Sequence, residues 1–286
     1  MCIRDSARRN DLAIVVISRI SGEGEDRKLI KGDFYLSDDE FKLVQTVSEE
    51  FHAVGKKVVV LLNIGAPIEV ASWRDLIDGI LLIWQAGQET GRIVADLLTG
   101  VVTPSGKLPI TFPKDYLDVP SWNFPGEPKV DPDKVIYEED IYIGYRYYDT
   151  FGVEPAYEFG YGLSYTKFDY GNLKVFLNGE VLEVSYVVTN TGSRIGKEAS
   201  QVYIKAPKCR IDKPFQELKA FHKARLLNPQ ESEEVFIEIP LRDLASFDGK
   251  EWVLEKGDYE VRVGGSSRDI KLKGVFTLQE ERKYAP

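Results

Sequence analysis

Two Val- and Ile-rich runs, "DLAIVVIS" at 11–18 and "KKVVVLLNIG" at 56–65, bracket a helical pattern and restrict the folds open to this chain more than any other feature. A continuous apolar run of that kind is the pattern of a strand covered on both faces, as in a parallel sheet. Between the runs, Ser37 with Glu40 three residues on reads as a capping box. Apolar Phe41, Val44, Val47, Phe51 and Val54 then recur at helical spacing until Gly55 ends the helix. "IDGILLIWQAG" at 77–87 reads as a third strand, and "QETGRIVADLLTG" as an amphipathic helix stopped by Gly100. Strands alternating with helices predict right-handed βαβ units and an open, mostly parallel sheet. In such sheets ligands collect at the carboxyl ends of the strands, where residues 19–36 and 84–88 both fall.

From Pro104 to about Thr166 the pattern changes to prolines, glycines and many aromatics, too aromatic for a flexible linker and expected to pack across two domains. From Phe168 onward, short alternating segments recur: "NLKVFL", "VLEVSYVVTNTG", "SQVYIKA", "KAFHKARL", "EEVFIEIP", "DYEVRVGG" and "DIKLKGVFTL". With "NTG", "NPQES" and "EKGDY" as turns, they predict a β-sandwich of immunoglobulin or fibronectin type III character. The fold class is therefore α/β plus all-β. The 286 residues divide into a leader (1–10), an α/β domain (11–112), an aromatic connecting segment (113–167) and a β-sandwich (168–286).

The net charge of -9 argues against a nucleic-acid partner, because backbone phosphates are bound by clustered Lys and Arg. No run approaches the roughly 18 apolar residues that a membrane span requires. Cys2 and Cys209 are too few for a disulfide framework or a Cys-based metal site. The opening "MCIRDSARRN" has no apolar core of a secretory signal and does not run smoothly into the strand after it. It reads as a leader foreign to the domain, with the natural N-terminus upstream, which leaves cytoplasmic and exported locations equally open.

The connection after Ser18 runs to about 18 residues, where βα loops usually take about 2 to 6, and long loops are commonly functional. Its centre, "SGEGEDR", sends Glu23, Glu25 and Asp26 out among glycines. These acids are open to a plain reading, solvated or paired with Arg19, Arg27 or Lys28. A phosphate cradle would use the glycine amides, against the repulsion of the carboxylates and without the Lys of a P-loop. A divalent metal would use Glu23, Glu25 and Asp26, although the spacing matches no EF-hand and His52 falls on a helix as an ordinary surface residue. A general acid/base is the remaining reading, since Gly22 and Gly24 leave Glu23 projecting without bulky neighbours.

At this loop the chain resembles the family 3 glycoside hydrolases of β-glucosidase and β-xylosidase type. "ISRISGEGEDR" looks like the family's acid/base loop, and "WQAGQETGRIVADLLTGVVTPSGKLPITFP" is similar to the stretch that closes its α/β sandwich domain. "YIGYRYYD" and "PAYEFGYGLSYTKF" look like its approach to a fibronectin type III-like domain, and "QELKAFHKARLLNPQESEEV" resembles the middle of that domain. The resemblance implies that Glu23 is the general acid/base of a retaining enzyme without cofactor or metal. The implied substrate is a β-linked oligosaccharide or glycoside cleaved at its non-reducing end, a β-glucoside before a xyloside or arabinofuranoside. It also implies a nucleophilic Asp on a preceding barrel, in a Ser-Asp-Trp-like motif that these residues do not include. "ASWRDL" at 71–76 has the letters in another order, and Asp75 reads as a helix residue without a catalytic role. The absent barrel is thus the expected partner, and the chain alone is expected to be inactive. The rival reading is a non-catalytic carbohydrate-binding or scaffold protein.

Around Glu23, Arg19 and Arg27 would lower the carboxyl pKa unless Asp26 occupies them. Trp84 and Gln85, at the end of the third strand, are open to lining the cleft, since aromatic faces suit sugar C–H faces, or to core packing. Tyr142, Tyr145, Tyr147 and Tyr148 have the composition of a sugar platform but read chiefly as packing between domains. The "PSGKLP" turn reads as structural.

Overall fold

The structure is a computed structural model that describes residues 2–20, 27–121 and 137–286. Contacts divide the chain into two compact units, Met1–Thr99 with Phe112–Val119, and Gly100–Thr111 with Pro120–Pro286.

The first unit contains α1 (Ile3–Arg9), β1 (Leu12–Ser18), α2 (Asp38–His52), β2 (Lys57–Asn63), β3 (Gly79–Leu82) and α3 (Thr90–Leu98). The strands form a parallel sheet in the order β1-β2-β3. Ala13, Val15 and Ile17 lie beside Val58, Val60 and Leu62, and all six are buried. On these strands packs α2, which buries Val44, Val47 and Phe51. The capping box forms: Ser37 Oγ accepts from Glu40 N at 3.1 Å and Glu40 Oε2 accepts from Ser37 N at 2.8 Å. Gly55, at φ 72°, takes the left-handed position just past the helix.

The apolar run of β1 suggests cover on both faces, but among the described residues only one is covered. Leu12, Ile14 and Val16 are 36%, 48% and 55% exposed, because α2 packs on the opposite row and nothing among the described residues covers this one. The third strand is shorter than 77–87, because Trp84 leaves the extended region at φ 48°. Residues 3–9, expected as part of a foreign leader, form α1, which buries Ala7 and pairs Arg4 with Glu50 of α2 at 3.0 Å. Asp75 sits in a single 3-10 turn, Arg74–Leu76, rather than in an α-helix, and its side chain is exposed. His52 lies at the surface, its Nε2 2.8 Å from Asp78.

In the second unit, α4 (Tyr145–Phe151) precedes β4 (Phe168–Asn178), β5 (Val181–Asn190), β6 (Ala199–Lys205), β7 (Glu217–Lys223) and β8 (Ser232–Pro240). Then come β9 (Ser246–Phe247), β10 (Trp252–Leu254), β11 (Gly257–Gly264), β12 (Ile270–Leu278) and β13 (Arg282–Tyr284). A sheet β4-β5-β8 and a sheet β12-β11-β6-β7 share one core, built from Leu182, Val184, Tyr186, Val202, Tyr259 and Val261 among others. These seven strands are the seven alternating segments of the sequence. The period-2 signal is sharpest in β5, where every second residue is buried. The short sheet β13-β10-β9 has strands too brief to show a period.

The aromatic segment fastens itself to this sandwich. Tyr145 stacks on Phe159 at 4.8 Å, meets Tyr203 edge-on at 5.8 Å and accepts from Leu218 N at 2.7 Å. Tyr142 Oη donates to Asp212 at 2.6 Å, and Tyr147 meets Tyr148 edge-on at 5.7 Å. The described partners of Tyr142, Tyr145 and Tyr147 all lie in the second unit. Gly160, at φ 82°, is required by close approach: a Cβ there would lie 2.1 Å from Gln201 Oε1. Gln201 in turn donates to the carbonyls of Gly160 and Gly265.

Candidate active site

The site expected from the sequence begins where β1 ends. Arg19 N still donates to Asn63 O at 3.1 Å, prolonging the β1–β2 ladder by one residue. The Arg19 guanidinium then turns inward, almost fully buried, and grips Glu40 through two N–H bonds of 2.7 and 2.8 Å. It also donates to the carbonyls of Ser18 and Asp33, both at 2.8 Å. Burial alone would raise the Glu40 pKa, but the Arg19 and Ser37 hydrogen bonds outweigh it and hold the carboxyl below its ordinary range.

Glu23, Glu25 and Asp26 lie outside the described residues, as does any pairing of Asp26 with the arginines. Both ends of the segment that carries them are described. Arg27 Nη1 donates to Asp33 Oδ1 at 2.7 Å and to Ile20 O at 3.3 Å, so its guanidinium bridges residue 20 to residue 27. Asp33 Oδ2 accepts from Lys28 N at 2.8 Å, and Tyr116 Oη donates to Arg27 O at 2.9 Å. Phe34, buried, meets Tyr35 and Tyr116 edge-on at 5.1 and 5.2 Å, and Tyr35 Oη donates to Asp115 at 3.3 Å. Asp33 likewise ionises below its ordinary range: burial opposes this, and the bonds from Arg27 and Lys28 N–H prevail.

Trp84 and Gln85 follow β3, two strands across the same carboxyl edge, about 10 Å from the β1 line at the usual strand spacing. The Trp84 ring is half-buried, tilted 54° to Phe112 with centroids 6.4 Å apart, and Gln85 is exposed. Sequence reasoning did not single out Asp33, Tyr35, Asp115 or Tyr116 and took Glu40 only as a cap. Glu40 had a local signal in the box; Tyr116 reaches Arg27 across 89 residues and had none.

A profile of the glycosyl hydrolase family 3 C-terminal domain matches residues 3–165. The chain belongs to glycosyl hydrolase family 3. The family 3 match runs through the segments expected as leader and connector, and a fibronectin type III-like domain profile matches residues 198–267. Thermostable β-glucosidase B of Acetivibrio thermocellus is 38% identical over 277 residues, 94% of this chain and 35% of its own length. β-Glucosidase A of Butyrivibrio fibrisolvens is 39% identical over 99% of this chain and 40% of its own. The family 3 chain therefore spans well under half the length of these relatives. Among solved structures, β-glucosidase 3B of Thermotoga neapolitana with glucose superposes at a TM-score of 0.97 and 74% identity, covering 99% of this chain and 40% of that one. The order β1-β2-β3 and the two facing antiparallel sheets agree with an α/β domain followed by a fibronectin type III-like domain.

Proposed function

We propose that this chain supplies the general acid/base of a retaining β-glycosidase, with Glu23 the proton-transfer residue and a β-D-glucoside the substrate. The reading is supported by the pairing of the two cations that flank Glu23 in the sequence, Arg19 with Glu40 and Arg27 with Asp33. An acid that must keep its proton near neutral pH is opposed by a free cation within about 4 to 6 Å and favoured by neighbouring carboxylates. Glu25, Asp26 and the charge of the nucleophile then all act in the direction that raises the Glu23 pKa. The β-glucosidases among the relatives support the substrate class.

In the first half-reaction Glu23 protonates the leaving oxygen while a carboxylate attacks the anomeric carbon. In the second it takes a proton from the water that releases the sugar. The attacking carboxylate belongs to a barrel that these residues do not include. Trp84 offers an aromatic face, and Gln85 an amide, at the same sheet edge. The test is Glu23→Ala in a polypeptide joining this chain to such a barrel. Hydrolysis of glucosides with poor leaving groups should fall by about 100-fold or more, and that of activated aryl glucosides far less, since only the former need protonation. Equal loss for both would assign the acid to another residue.

A further inference from the structure

In the order β1-β2-β3, β1 is the outermost strand and is paired along one edge, to β2. Arg19 N donates to Asn63 O, so by the alternation of an extended chain the backbone groups of Ala13, Val15 and Ile17 also turn toward β2. Those of Leu12, Ile14 and Val16 turn the other way, where no strand among the described residues lies. The side chains of the same three residues form the exposed apolar row on the face away from α2. One stretch of β1 therefore presents both a polar backbone edge and an apolar face, among the described residues, without cover. A parallel strand is ordinarily covered on both faces, and an open edge of this kind is a template for another strand.

The helices show from which direction such a strand arrives. α1 runs almost directly into β1 and packs against α2, with Ala7 buried and Arg4 3.0 Å from Glu50, so the two helices lie on one side of the sheet. Crossovers between neighbouring parallel strands are right-handed, and α2 makes one from β1 to β2. A second crossover through α1, on the same side and ending in β1, has to start one strand farther out, at the open edge. We infer that β1 is a docking edge for one further parallel strand, carried by polypeptide N-terminal to α1, with a helix of the same polypeptide laid over Leu12, Ile14 and Val16. The strand it fits is rich in Val and Ile, since it too would be covered on both faces. The chain has relatives long enough to supply it: the match with β-glucosidase 3B of Thermotoga neapolitana takes up 40% of that chain and leaves the larger part outside. The inference is independent of the role given to Glu23.

Co-expression tests this, with the 286-residue chain as one polypeptide and, as the probe, the part of T. neapolitana β-glucosidase 3B outside the matched 40% as a second. The two should purify as one complex, and amide hydrogen exchange read residue by residue gives the deciding pattern. In the chain alone, at a concentration where it is monomeric, the amides of Ile14 and Val16 should exchange freely while those of Ala13, Val15 and Ile17 stay protected by β2. In the complex, Ile14 and Val16 should slow by about 100-fold or more, the every-second-residue signature of an added strand, which a helix or loop laid across the edge would not produce. Ile14→Pro removes an outward amide without touching the ladder to β2. It should leave the melting temperature of the chain within a few degrees and cut recovery of the complex by about 10-fold or more. If that variant does not fold, Ile14→Lys replaces it, setting a charge in the apolar row and weakening the complex in the same way. Failure of the co-expressed pair to associate would overturn the inference. So would a complex in which Ile14 and Val16 exchange as in the free chain, protection of these amides already in the monomer, or an edge taken by a second copy of the chain with the probe present.

Discussion

Arg19 and Glu40 join the last position of the β1 ladder to the first turn of α2 through two parallel N–H···O bonds of 2.7 and 2.8 Å. The same carboxylate closes the helix cap on Ser37 N at 2.8 Å, so one side chain fixes where the strand ends, where the helix starts and how a buried cation is neutralised.

Glu40→Ala should therefore cost more than a lost cap. Leaving Arg19 buried without its carboxylate costs about 3 kcal/mol or more in a fully closed site, and the part-open Glu40 side chain reduces this to about 2 kcal/mol. Urea denaturation of the 286-residue chain checks it. Glu40 and Asp33 both ionise more readily in the folded state, so their stabilisation is complete above their ordinary values of 4.5 and 3.8 and is lost as pH falls through the lower folded values. Glu40→Gln should flatten the acid limb of a stability-against-pH curve in that window; an unchanged limb would contradict the assignment.

In the second unit, Lys107 of the "PSGKLP" turn lies 3.1 Å from Glu198, with both side chains largely buried, and Tyr170 Oη donates to the same carboxylate at 2.9 Å. Lys107→Met should destabilise by about 3 kcal/mol, because it strands a buried carboxylate. Lys107→Met with Glu198→Gln removes both charges, keeps an acceptor for Tyr170, and should recover at least half of the loss. Thermal melts of the single and double variants decide it.

Trp84 holds φ 48°, a region that costs a bulky L-residue about 1 kcal/mol and a glycine almost nothing. Trp84→Ala and Trp84→Gly both lose the indole contact with Phe112, so the difference between them isolates the backbone. Trp84→Gly should be the more stable of the two by about 1 kcal/mol in urea, against the usual order for Ala and Gly.

Leu12, Ile14 and Val16 present an apolar row of β1 to water. The isolated chain should self-associate through it, as exposed apolar patches do. Ile14→Lys should raise the monomer fraction in sedimentation velocity without lowering the melting temperature by more than a few degrees. A wild-type chain that stays monomeric at high concentration would contradict this.

Much of the fold was legible because its signals are local. The Ser37–Glu40 box, the helical spacing through Phe51 and the alternation of β5 each lie within a few residues of the groups they govern, and propensity and period act over that range. For the segment expected to carry the site, "SGEGEDR", the described flanks pair Arg19 with Glu40 and Arg27 with Asp33, acids that no spacing rule separates from the others nearby.

By itself, then, the sequence determined the α2 cap and helix, the seven main strands of the β-sandwich and the order of the two domains. The tertiary structure decided that, among the described residues, β1 is covered on one face, that Tyr145 of α4 fastens to the β-sandwich, and that Tyr116 reaches Arg27 across 89 residues. The physical reason is that a period or a cap is written in neighbours along the chain, whereas a buried charge takes whichever partner the folded backbone carries to within about 3 Å.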